Sequence, residues 1–128
     1  MNKRVVFIGA ALAATLALGI AGYQWYQNHS MVAVTLEWAR LAPFPEGATE
    51  FTITTSGGMF SREFHVVFVA PPEEIAAWLK ASPGIQDAEI EEQDNSVLYK
   101  IKPGGGAQHA EVEHNPHTNR ITVYVVWS

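Results

Sequence analysis

An uninterrupted apolar stretch near the start of the chain limits its folding more than any other feature. Residues 5–26 form a run of 22 residues without a charged side chain. Coiled as a helix, such a run extends about 33 Å, enough to cross a hydrocarbon core of about 30 Å. The sequence therefore predicts a transmembrane signal anchor at 5–26, preceded by a cytoplasmic tip at 1–4.

A cleaved signal peptide is the alternative interpretation of this stretch. The triplets at 17–19 and 19–21 place small residues at the spacing that a signal peptidase recognises. The run is longer, however, than the usual apolar region of a signal peptide, which is about 7–15 residues. Its outer end also carries Tyr23, Trp25 and Tyr26, which are typical of a membrane interface. These features favour an uncleaved anchor.

The distribution of charge predicts the orientation and excludes several partners. Lys3 and Arg4 precede the apolar run and should remain in the cytoplasm, so the rest of the chain is expected to be exported. Beyond residue 30, six basic residues face all thirteen acidic ones, a net charge of −7. This balance argues against nucleic acids and anionic lipid headgroups as partners. The absence of cysteine excludes a disulfide framework, an iron–sulfur cluster and a thiolate zinc site.

Small residues form a stripe along the predicted anchor. Gly9, Ala13, Ala17 and Ala21 recur every four positions and would share one helix face. Such a face allows two membrane helices to approach closely, which would favour a homo-oligomer. An alanine-rich span also produces such stripes by chance, so both interpretations stay open.

The remainder of the chain shows the periodicities of one small α+β domain. Residues 27–48 are interpreted as a linker or partly ordered segment. Val32, Val34 and Leu36 alternate there, but Pro43 and Pro45 interrupt any regular element. This segment stays open between strand, short helix and extended tether. Residues 49–128 are predicted to form the exported domain.

Alternating apolar and polar residues predict an antiparallel sheet in that domain. Strands are predicted at 49–55, 59–70, 96–102, 107–113 and 120–127, the last two as a hairpin, with an edge strand or loop at 86–93. The segment 59–70 should be the main core strand, with Phe60, Phe64 and Phe68 on its buried face.

One helix is predicted to cover one face of this sheet. It begins at Pro71 and Pro72, where Glu73 and Glu74 complement the helix dipole, and it ends before 82–84 (SPG). Ile75, Trp78 and Leu79 follow at helical spacing and should pack on the sheet.

The sharpest chemical hypothesis concerns a cluster of histidines and acids at 109–117. On a strand, His109, Glu111 and Glu113 would point the same way, and imidazoles with carboxylates suit Zn²⁺ or a similar divalent ion. His114 and His117 are further candidate ligands. Against this, 115–119 has the residues of a turn with Asn119 in the left-handed conformation, and His114 would alternate onto the opposite face. The histidines would then not converge, and the sequence assigns no metal ligand and no cofactor.

Other motifs carry no recognisable chemistry. Gly104, Gly105 and Gly106 lack the following helix and the lysine of a phosphate-binding loop. Ser56, Ser61 and Ser82 have no nucleophile elbow, and His65 would share one strand face with Ser61 without an orienting acid. An enzyme would require side chains that converge from distant strands, so the sequence predicts no catalytic residue.

Several segments resemble a group of small, uncharacterised bacterial proteins with an N-terminal membrane anchor. The resemblance lies in turn and core residues at 41–45 (LAPFP), 64–72 (FHVVFVAPP), 78–84 (WLKASPG), 102–108 (KPGGGAQ) and 124–128 (YVVWS). It implies a single-pass protein of the bacterial inner membrane with its C-terminal domain on the periplasmic side. It implies no activity, ligand or catalytic residue.

These expectations favour binding over chemistry. The first hypothesis is a non-catalytic domain that binds a protein partner or itself in the cell envelope, through sheet edges and exposed apolar residues such as Val67 and Val126. The second is a divalent-metal-binding envelope domain that uses the 109–117 cluster.

Overall fold

A computed structural model of the chain describes residues 30–128. The predicted cytoplasmic tip, signal anchor and small-residue stripe lie outside the described residues. Within 30–128, no helix is both long enough and apolar enough to cross a membrane.

The described part contains three helices and six strands. In chain order they are α1 (30–38), β1 (Thr49–Ser56), β2 (Arg62–Val69), α2 (Pro72–Ala81), α3 (Pro83–Gln86), β3 (Glu89–Glu92), β4 (Val97–Ile101), β5 (His109–Asn115) and β6 (Arg120–Trp127). The strands form one sheet in the order β1-β2-β6-β5-β4-β3, and all neighbours are antiparallel. The α+β class, the antiparallel sheet and the helix after β2 are confirmed.

The last strand along the chain occupies the middle of the sheet. β6 pairs with β2 on one side, where Val125 lies opposite Phe64, and with β5 on the other, where Val123 lies opposite Val112. β6 therefore joins the hairpin of β1 and β2 to the meander of β3, β4 and β5.

The core lies between one face of the sheet and the helices. Alternate residues of the three central strands are buried there: Phe64, Val66, Phe68, Val112, Ile121, Val123 and Val125. Ile75 and Trp78 of α2 are 1% and 4% exposed, and the Trp78 ring meets Phe68 edge-on at 5.6 Å between centroids. Burial of side chains of this size contributes about 1.5–3 kcal/mol each, so packing on the sheet stabilises α2.

Residues of the segment 31–48 pack into this core. Thr35, Ala39 and Leu41 are buried, and Trp38 packs on Phe64 with 5.4 Å between ring centroids. One compact unit runs from Met31 to Ser128, and it includes residues 31–48. The segment that the sequence left open is a helix followed by extended chain, not a free tether.

The turn between β1 and β2 is longer than the sequence suggested. β2 begins at Arg62 rather than at residue 59, and Phe60 is 79% exposed rather than in the core. The physical reason is the loop at 57–61, in which Gly57 adopts a φ of 145° and the Gly58 N–H donates to Ser61 Oγ at 3.2 Å. The alternating apolar pattern of β2 thus extends back to Phe60, which lies in the loop and not in the strand.

Candidate functional site

The face of the sheet opposite the core carries polar and half-buried side chains, and we call it the open face. Strand alternation places on it Glu63, His65 and Val67 from β2, Thr122, Tyr124 and Val126 from β6, His109, Glu111 and Glu113 from β5, and Leu98 and Lys100 from β4. Most of the chain's candidate functional residues therefore lie on one surface.

Tyr124 lies at the centre of the open face, between two histidines. Its ring centroid is 4.5 Å from that of His65 and 5.7 Å from that of His109. Burial raises the pKa of Tyr124 above its usual value, and a hydrogen bond to Glu63 adds to the effect. A higher pKa keeps the phenol in its neutral form, which is able to donate a hydrogen bond.

The predicted alignment of His109, Glu111 and Glu113 is present on the open face. His109 Nε2 lies 3.2 Å from Glu111 Oε2, which makes an exposed hydrogen-bonded pair. His109 contacts both this carboxylate and the Tyr124 ring. The structure thus brings together one histidine and one acid from the predicted cluster.

The other two histidines of the cluster point elsewhere. His114 alternates onto the core side of β5, opposite Ile121, and burial lowers its pKa. His117 lies in the β5–β6 turn, where Asn115 Oδ1 accepts its backbone N–H at 3.0 Å. Asn119 has a φ of 54° in that turn, as the sequence predicted. Among residues 30–128, no three histidine, aspartate or glutamate side chains are grouped to hold a metal ion.

The three candidate serines have structural roles. Ser82 is buried, donates to the Trp78 carbonyl at 2.8 Å and accepts the Ala42 N–H at 3.0 Å. Ser61 precedes β2, so it does not share a strand face with His65. Ser56 donates to Glu63 Oε2 at 3.0 Å. None of them has an imidazole as a hydrogen-bond partner.

The three consecutive glycines form a close packing contact. The Gly104 N–H donates to the Trp38 carbonyl at 2.9 Å, and a Cβ on Gly105 would lie 2.7 Å from the Trp38 ring. β5 follows this segment, as predicted, instead of the helix that a phosphate-binding loop requires. These glycines allow the chain to pass the end of α1.

The two edges of the sheet differ in charge. β3 is fully exposed and carries three carboxylates, of which Glu91 lies 3.0 Å from the Lys100 ammonium. The hydrogen bond between Lys100 and Glu91 raises the pKa of the Lys100 ammonium. β1 carries no charged side chain from Phe51 to Ser56, and its single acid, Glu50, lies at a register shift with a φ of 51°. Only the β3 edge is protected by charge.

Apolar side chains flank the β1 edge on both faces of the sheet. Phe51 is 39% exposed and packs between Phe44 and Phe68, with ring centroids at 5.5 and 6.3 Å. Val67 and Val126, which the sequence named as recognition residues, are both half-buried on the open face, but only Val67 lies beside β1, opposite Thr52, whereas Val126 is on β6, two strands from this edge. The β1 edge therefore combines an unprotected backbone with apolar neighbours.

A shallow groove of about 290 Å³ lies on the helical side. Ala42, Pro43, Pro45, Glu74, Ala77, Trp78 and Ala81 line it. Its one carboxylate, Glu74, accepts the Gly47 N–H at 3.1 Å. This groove offers apolar surface without a group of converging polar side chains.

Sequence reasoning missed the contact of His65 with Tyr124, because it compared His65 only with a serine nearby along the chain. The signal was present in the alternation of β2 and β6, which places both residues on the open face, but it required the pairing of those two strands.

Comparisons with protein-family models, curated proteins and solved structures yield no match for this chain. The resemblance to small anchored bacterial proteins therefore stays a prediction.

Proposed function

We propose that the chain is a single-pass protein of the bacterial inner membrane whose folded domain works on the periplasmic side by binding, not by catalysis. The apolar run at 5–26 and the basic residues before it support the anchor and its orientation. The net charge of −7 beyond residue 30 favours a protein partner over a nucleic acid.

The observation that carries the binding proposal is the difference between the two sheet edges. Proteins protect exposed edges with charge, as β3 does with Glu89, Glu91 and Glu92. β1 is twice as long, with eight residues against four, and lacks such protection from Phe51 onward. An extended strand from a partner or from a second copy can pair with the free backbone of β1, while Phe51 supplies an apolar contact.

Crosslinking in intact membranes followed by mass spectrometry tests this proposal. Thr52 and Thr54 point to the open face at the β1 edge, so Thr52→Lys with Thr54→Lys introduces the charge that edge strands use against pairing. We expect the crosslinked species of the wild-type chain to disappear in this variant. Glu92→Lys, on the opposite edge, is the matched control and should retain it. Identical crosslinks in all three chains would contradict pairing at β1.

The anchor and its orientation have a separate test. The intact mass of the membrane-extracted chain should include residues 1–26, and a periplasm-dependent reporter fused after Ser128 should be active. A mature mass that begins after 17–19 or 19–21 would show a cleaved signal peptide. A reporter that works only in the cytosol would reverse the orientation.

A further inference from the structure

An apolar hairpin tip is the feature that the proposed function leaves unused. We call the loop at 57–61, between β1 and β2, the hairpin tip. Met59 is 89% exposed and Phe60 79%, the two largest values among the exposed large hydrophobic residues of 30–128. The tip carries no charged side chain. Two adjacent apolar side chains at such exposure form a patch that favours contact with another apolar phase.

The fold holds this tip in place. A Cβ on Gly57 would lie 2.3 Å from the Ser61 carbonyl oxygen, so the tight turn requires glycine there. The Gly58 N–H donates to Ser61 Oγ at 3.2 Å, and Ser56 Oγ donates to Glu63 at 3.0 Å across the strands below. Met59 and Phe60 are therefore presented from a closed turn.

The neighbours of the tip suit a membrane interface. Arg62 pairs with Trp127, so both lie at the same end of the sheet, and Trp127 is 41% exposed. Tryptophan and arginine are favoured at the headgroup level, where an apolar body and a polar group are both satisfied. The acidic strand β3 lies four strands away from β2, a distance of about 19 Å that exceeds the screening length of about 10 Å at 0.1 M salt. The acidic edge therefore does not oppose contact at the tip.

The chain outside the structure limits how far the domain can move from a bilayer. Only residues 27–29 separate the predicted anchor from residue 30, where the described helix α1 is already present. Three residues span at most about 11 Å. If 5–26 crosses the membrane, this short connection gives the folded domain a high local concentration near the bilayer, so weak apolar contacts become effective.

We propose that the hairpin tip inserts Met59 and Phe60 into the interfacial layer of the membrane that anchors the chain. The contact is apolar and does not depend on anionic headgroups, in agreement with the net negative charge of the domain. The inference rests on the proposed anchor, and it identifies a second site of membrane contact in the folded domain.

The absence of cysteine allows a direct test with the full chain reconstituted in phosphatidylcholine vesicles. Met59→Cys carries an environment-sensitive fluorophore, and brominated lipids serve as the quencher. Asn95→Cys, in the turn at the opposite end and opposite edge of the sheet, is the matched control. Leu18→Cys reports on the anchor. We expect a blue shift and a loss of emission with brominated lipid at positions 59 and 18, and neither change at 95.

The outcomes separate this inference from the proposed anchor. Quenching at position 18 without quenching at 59 would overturn the membrane contact and leave the anchor intact. A blue shift at 59 without lipid quenching would indicate that a second copy covers the tip, and it would also overturn the proposal. Absence of quenching at position 18 would contradict the anchor itself. Addition of Phe60→Asp should abolish the quenching at 59, because it places a charge beside the inserted side chain.

Discussion

The indole nitrogen of Trp78 donates a hydrogen bond of 2.9 Å to the backbone carbonyl of Ala42. The N–H of the same Ala42 donates to Ser82 Oγ. Both polar groups of one backbone residue are thus held by side chains from α2 and the residue that follows it. This pair of bonds fixes the extended segment after α1 against the helix that covers the sheet.

Trp78→Ala should therefore be strongly destabilising. The substitution removes a buried ring and leaves the Ala42 carbonyl without its donor, so we expect a loss of about 3–5 kcal/mol in the free energy of unfolding. Urea denaturation of the full chain in mild detergent, followed by circular dichroism, measures the difference. Lys80→Ala, an exposed change in the same helix, should alter stability little. Unchanged unfolding of Trp78→Ala would show that the helix does not pack as described.

Ser82→Ala tests the second of these hydrogen bonds. The hydroxyl is fully buried, and its removal leaves the Ala42 N–H unsatisfied, which costs about 1–3 kcal/mol. The same unfolding measurement detects the loss. Ser61→Ala provides a control in an exposed loop and should change the free energy by a smaller amount. Equal effects of the two changes would argue against the buried bond.

Two glycines with opposite surroundings offer a matched comparison. Gly105 has a φ of 61° and an alanine Cβ there would press against Trp38, whereas nothing lies within 4 Å of the Cβ position at Gly58. Gly105→Ala should cost about 1–2 kcal/mol from the left-handed backbone alone. Gly58→Ala should be close to neutral. Thermal melting of both variants measures the contrast, and equal melting temperatures would contradict the described turn.

The burial of His114 predicts a specific pH dependence. Burial lowers its pKa in the folded state below the ordinary 6.5, so the unfolded chain takes up the proton first as the pH falls. Protonation of His114 therefore lowers the free energy of unfolding as the pH drops from about 6.5 to the pKa of the folded state. Below that pKa, both states carry the proton and His114 causes no further decrease. Unfolding measured between about pH 7.5 and about pH 5 should show a smaller decrease for His114→Gln than for the wild type. A resonance assigned to His114 that titrates above 6.5 would contradict the prediction.

The sheet was predictable because most strands follow a simple alternation. The hairpin of β5 and β6 and the alternation of β4 are clear in the sequence, since each strand buries one face only. The alternation failed at Phe60, because two glycines allow the chain to turn while the apolar pattern continues. Local pattern does not fix where a strand starts when the next residues are also apolar.

The helix α1 was harder to recognise. Val32, Val34 and Leu36 suggest a strand, but Thr35 and Ala39 are the buried residues, and they are four positions apart as in a helix. Small side chains carry little signal in a hydrophobic pattern. The alignment of His109 with Glu111 followed from alternation, whereas the contact of His65 with Tyr124 depends on a strand pairing about sixty residues apart along the chain.

The position of β6 in the middle of the sheet has a consequence for biogenesis. The strand that joins the two halves is the last of the six to be synthesised, so the sheet cannot close until residue 127 has emerged. Until then, the hairpin of β1 and β2 and the meander of β3, β4 and β5 have no strand between them to pair with. Loss of the final eight-residue strand would leave two separate halves, each without the partner that lies opposite its buried residues, among them Phe64 in β2 and Val112 in β5.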